Sequence, residues 1–195
     1  MDSNERLIHQ FYRAFNEGRL QDAAAMMADD AVVEQVAAGR QERGGEGFLD
    51  FARRWILAFP DASLGVQRIA SSDGATYDVD LLGTGTHLGA LDLGAGGVFK
   101  TSGAAATLRM RQLLEIRDSR IVYSSLSFDL QDLVRQLVTV DVGKLLDHLE
   151  RIQQLGARLS AIPPDNVVDR RSLVDRLGTE LDAARRVVRP YFTRP

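Results

Sequence analysis

Between Ala62 and Phe128 the chain carries long β-type stretches separated by short polar turns, with no helical period among them. The predicted strands are Leu64 to Ala70, Thr76 to Thr86, Thr107 to Ile116 and Ile121 to Phe128. Ser71-Ser72-Asp73-Gly74 and Arg117-Asp118-Ser119-Arg120 supply turns. Strands joined so closely pair antiparallel, because a parallel pair needs a crossover of a dozen residues or more. Helical stretches precede this run instead of alternating with it. That order excludes βαβ winding and predicts an α+β fold, a sheet that curls around helices packed on one face.

The helices follow from apolar spacing. Leu7, Ile8, Phe11, Tyr12 and Phe15 form one stripe, capped by Asp2 and Ser3 and ended by Gly18. Leu20 to Met27 is a short second helix, and Ala31 to Ala37 a strand. A Gly-rich turn, Gly39 to Gly47, leads to a third helix with Phe48, Phe51, Ala52, Trp55 and Phe59 on its face, and Pro60 stops it. The glycine-laden segment Gly89 to Gly103 is predicted to be a loop.

At Asp129 the period changes from two to about 3.6. Beyond it Leu130, Leu133, Val134 and Leu137 share a helical face. A carboxylate there is a good helix N-cap, with Asp132 adding charge near the N-terminus. It is also a usable acid or base if the sheet encloses a pocket. Both roles claim the same atoms.

After Leu137 the character changes. Val142 to Ser160 is amphipathic through Leu145, Leu149, Ile152, Leu155 and Leu159, and Pro163-Pro164 breaks it. A second helix from about Val167 to Arg189 aligns Leu173, Leu177, Leu181, Ala184 and Val188. The expected organisation is a main domain over residues 1–140 and a helical hairpin over 141–195, docked on that domain or on a second copy.

Composition narrows the function. The net charge is −3, so there is no electrostatic reason to expect nucleic acid or an anionic membrane. There is no cysteine, which excludes disulfides and thiolate chemistry. No apolar run nears the ~20 residues of a transmembrane helix, and the polar, acidic start is unlike a secretory signal, so the cytoplasm is expected. His9, His87 and His148 are too scattered for a metal site. Gly94-Ala95-Gly96-Gly97 is too short a match for a dinucleotide loop, and no helix pattern follows it.

Several short motifs occur in one order: Gly44-Gly45-Glu46-Gly47-Phe48, Ala58-Phe59-Pro60-Asp61, Gly85-Thr86-His87-Leu88-Gly89, Arg120-Ile121-Val122, Phe128-Asp129-Leu130 and Arg135-Gln136-Leu137. Together they resemble the SnoaL-like polyketide cyclases, or ester cyclases, of the nuclear transport factor 2-like superfamily, over about Leu7 to Leu137. The resemblance implies a cone-shaped α+β barrel with an internal pocket, a homodimer, and a small apolar or cyclic ligand. It implies cofactor-free and metal-free closure of a polyketide ring by an intramolecular aldol reaction. Asp129 then stands at the family's acid/base position, and His87, in its Gly-Thr-His turn, is expected as an accessory catalytic donor. One carboxyl group can take a proton from carbon and return one to the alkoxide if an apolar pocket raises its pKa.

Other candidates for the pocket are Tyr12 and Trp55 at its mouth, although aromatics at helical spacing are more often core. Tyr123 and Ser125 share a strand face with Asp129 by simple alternation. Asp80 holds a place where the family often has arginine, and it is a pocket acid if its face is inward. The chain departs from the family elsewhere: a serine, Ser125, replaces the usual tryptophan, and Glu34-Gln35 replaces an acidic/His pair. These departures keep two other readings open. One is a binding or assembly module in which Asp129 only caps a helix. The other is epoxide hydrolysis between Asp80 and Asp129.

Overall fold

The computed structural model describes residues 2–71, 73–93, 97–137 and 142–188. They form two compact units, one up to residue 137 and the other from residue 142 on. The first contains helices α1 (Ser3–Asn16), α2 (Leu20–Ala24), α3 (Gly44–Ala58) and α4 (Leu130–Leu137). Its strands are β1 (Met27–Gln35), β2 (Arg40–Arg43), β3 (Ser63–Ser71), β4 (Thr76–Thr86), β5 (Leu91–Asp92), β6 (Val98–Phe99), β7 (Ala105–Arg117) and β8 (Arg120–Phe128).

Six strands make one curved sheet in the order β2-β1-β8-β7-β4-β3. The α+β class predicted from the order of elements is the one observed. Three details differ. The sheet is mixed, because β1 runs parallel to β8. The short-turn argument holds for β3-β4 and β7-β8 but not for two strands separated by most of the domain. Met27, assigned to the second helix, opens β1 instead. Two short pairings lie in stretches read as turn or loop: β2 beside β1, and the β5-β6 ribbon.

Alternation sets the inner face. Along β7, Ala106, Leu108, Met110, Gln112, Leu114 and Ile116 are buried while most of their neighbours are exposed. The helices cover this face. Asp2 closes a capping box with Glu5 that starts α1. At the other end of α1, Asn16 accepts from the Leu64 amide at 2.8 Å and donates to its carbonyl at 2.9 Å, which locks the helix to the edge strand β3. Gly44, with φ +64°, lets α3 begin hard against β1, where a Cβ would lie 2.6 Å from the Asp29 carbonyl oxygen. At α4, Gln136 pairs through its amide with both backbone groups of Thr107. It thereby completes β7 where β8 has already ended.

The second unit holds α5 (Val142–Ala161) and α6 (Val167–Val188), which pack on each other around Leu155, Leu173 and Ala184. His148 Nδ1 lies 2.7 Å from Glu180 between them. Residues 138–141 lie outside the described residues.

Candidate small-molecule site

A hollow of three lobes, neighbours through shared wall residues, lies between the inner face of the sheet and α1, α3 and α4. The first lobe has walls from Gln35, Phe51, Trp55, Leu91, Leu126 and Phe128. The second is bounded by Phe11, Phe15, Phe48, Leu64, Gln112 and Ser124, and it shares Gln35, Phe51 and Leu126 with the first. The third has Trp55 in common with the first and is lined further by Phe59, Met110 and Leu133. Walls that are largely apolar, with a few polar groups set among them, are the kind that small organic molecules meet.

An aromatic wall organises the first lobe. Trp55 lies 5.1 Å from Phe59, 6.3 Å from Phe51 and 5.7 Å from Phe128, the last at 60° between planes. Helical spacing puts Phe51, Trp55 and the α3-terminal Phe59 on one side of α3, and Phe128 reaches them from the end of β8. Of the two aromatics proposed for the mouth, Trp55 borders two lobes. Tyr12 does not border the hollow. It is buried in the core, where its hydroxyl donates to Gln112 Oε1 at 2.6 Å. Gln112 Nε2 donates in turn to Ser124 Oγ at 2.7 Å. Burial raises the Tyr12 phenol far above its usual range, so it remains a donor.

Gln112 and Ser124 are the polar wall that the sequence reading missed. Gln112 left a signal, being the one polar residue in the apolar alternation of β7. Ser124 did not, because β8 carries a bulge: Ile116 opposes Ile121, but Glu115 opposes Tyr123. One extra residue inverts the faces beyond it. Ile121, Ser124 and Leu126 are therefore buried together. The expectation that Tyr123 and Ser125 line the pocket is corrected for this reason. Both belong to the outer face, and Tyr123 donates to Glu34 there at 2.5 Å. Asp80 is also on the outer face, paired with Arg68 at 2.7 Å. Asp80 and Asp129 do not share a pocket.

Asp129 is largely exposed. Its Oδ1 accepts from the Gln131 and Asp132 amides at 2.8 and 3.2 Å, and Arg135 stands 3.8 Å from Oδ2. This is N-cap geometry. The carboxylate is directed at its own helix, between Phe128 and Leu133, which do border the hollow.

His87 is fully buried away from Asp129's hydrogen bonds, with Nδ1 3.1 Å from Ser102 Oγ and its ring 5.3 Å from that of Phe59. Burial lowers its pKa, so the neutral ring is favoured. The surrounding motif is a packed corner. Asp61 accepts from the Thr86 amide and hydroxyl at 2.6 and 2.7 Å, and those bonds lower its pKa. The amides of Leu88 and Gly89 both donate to the Ala58 carbonyl. Two of the sequence motifs thus hold each other. Among the described residues no three acidic, His or Cys side chains converge as a metal site, and no helix is long and apolar enough to cross a membrane.

A curved sheet with an aromatic-walled hollow on its helix-covered face defines an α+β fold with an internal pocket. The sequence model of SnoaL-like polyketide cyclases matches residues 6–137, and the chain belongs to that family. Solved structures share the fold. IdmH of Streptomyces antibioticus, a proposed polyketide cyclase, is 26% identical with TM-score 0.59, covering 69% of this chain and 97% of IdmH. TsrD of Streptomyces laurentii is 23% identical with TM-score 0.59, covering 70% and 97%. A protein of ketosteroid isomerase-like fold from Catenulispora acidiphila, in complex with trimethylamine, is 14% identical with TM-score 0.57, covering 67% and 91%. No curated protein sequence matches the chain. Residues 138–195 lie outside the family match.

Proposed function

We propose that the domain takes up a small, largely apolar ring compound in this hollow. The observation that carries the reading is the aromatic wall of Phe51, Trp55 and Phe128 along the first lobe, where polar side chains are few. Flat rings stack on such walls, and membership of a polyketide cyclase family points to the same ligand class. Trp55 is the only tryptophan, so its fluorescence reports occupancy directly. Titration with a polycyclic aromatic compound is expected to quench it saturably. A linear, unsaturable response sinks the reading.

A second reading, aldol-type ring closure with Asp129 as acid and base, is favoured by one observation. Asp129 directly follows Phe128, a residue that borders the hollow. Catalysis requires the carboxylate to leave its cap, which costs about 0.5–2 kcal/mol. Asp129→Asn preserves a capping oxygen, so it should fold normally and lose turnover of a polyketide-type keto ester. Unchanged turnover in that variant would falsify the acid/base role.

A further inference from the structure

Resting on the pocket reading, we infer that Gln35 selects the ligand: its side-chain amide donates a hydrogen bond to a carbonyl oxygen of a neutral ring compound. Gln35 is the last residue of β1, on the same face as buried Ala31 and Val33. It is common to the walls of the first and second lobes. Its Nε2 is buried without a hydrogen-bond partner. An unpaired buried donor is costly, and a wall residue whose polar neighbours are engaged with one another recovers that cost from what enters the hollow.

The other polar side chains of the first two lobes are already engaged: Glu34, at the border of the second, accepts from Tyr123 and from Gln41. Gln112 accepts from Tyr12 and donates to Ser124. Arg54 is paired with Glu42, and Asp92 with Arg40 at 2.7 Å. The two ion pairs leave the first lobe with balanced charge. A carboxylate or ammonium ligand would therefore enter without a counter-ion, at a large desolvation penalty. A neutral acceptor does not face that penalty. The distribution of apolar surface fixes the rest. The rings lie against Phe51, Trp55 and Phe128, and the carbonyl is at the Gln35 end.

The test compares 9,10-anthraquinone with anthracene, which has the same rings and no oxygen, by Trp55 quenching. The quantity read is the affinity ratio of quinone to hydrocarbon. Gln35→Met is expected to reduce that ratio about tenfold, the worth of one buried neutral hydrogen bond, while anthracene binding stays within about twofold. In the absence of any probe the same variant is expected to raise the thermal midpoint by roughly 2–4 °C, because it removes an unpaired buried donor. An unchanged ratio with both probes bound overturns the assignment to Gln35 and leaves the pocket reading standing. Failure of both probes to bind overturns both. A preference for 2-anthrol that Gln35→Met abolishes overturns the donor role, since the amide would then be accepting. A fall in the midpoint would show an intramolecular partner and also overturns it.

Discussion

The Tyr12 hydroxyl donates to Gln112 Oε1 at 2.6 Å, joining the first helix to a central strand one hundred residues later in the chain. Gln112 passes the chain on to Ser124, so three buried polar groups on α1, β7 and β8 are satisfied together. Tyr12→Phe removes the donor and strands the Gln112 oxygen. The expected loss is about 1–3 kcal/mol in urea unfolding, an unsatisfied buried acceptor costing more than the mean worth of a bond. Adding Gln112→Leu to Tyr12→Phe should restore part of that loss, since removing both partners is cheaper than removing one. Simple additivity of the two changes would refute the coupling.

Asp129 should matter to stability through α4. Asp129→Ala is expected to cost about 0.5–2 kcal/mol, and Asp129→Asn much less, because an amide oxygen still caps the Gln131 and Asp132 amides. Equal losses in the two variants, measured by denaturant unfolding, would contradict the capping geometry.

His87 predicts a pH dependence. Its pKa in the folded protein lies below the ordinary value because burial disfavours the cation. The unfolded state therefore binds the proton more readily. Stability from this group is complete above about pH 6.5 and is lost as pH falls from there toward the folded pKa. The slope is at most about 1.4 kcal/mol per pH unit. Between pH 7.5 and 5.5, His87→Gln should flatten the fall in unfolding free energy. An identical slope in wild type and variant would show that the ring is charged, or solvated, in the fold.

Gly89 packs its Cα against the carbonyl of Leu57, where a Cβ would overlap the oxygen. Its amide is held by Ala58 at 3.1 Å, so the backbone cannot easily retreat. Gly89→Ala is expected to lower stability by at least about 1–3 kcal/mol. Gly103→Ala serves as a comparison with space around it, its only handicap being a left-handed backbone. Calorimetry that ranks Gly103→Ala as the more damaging change would contradict the packed-corner account.

Residue order alone settled the class of fold. Apolar periods of two and about 3.6 mark which stretches bury one face, and burial of those faces is what drives the elements together. It also determined the change of element at Asp129 and the cap that makes it possible, because capping depends on residues two and three positions away. The ordered motifs carried the family. Which polar side chains meet the hollow was set by long-range packing. A bulge near Val122 exchanged the faces of β8, so Ser124 turned inward and Tyr123 and Ser125 outward. Asp80 found an outer-face partner in Arg68, and Gln35 came to border two lobes with its amide unpaired. Such outcomes depend on strand register and on partners far away in the chain, and local periodicity contains neither.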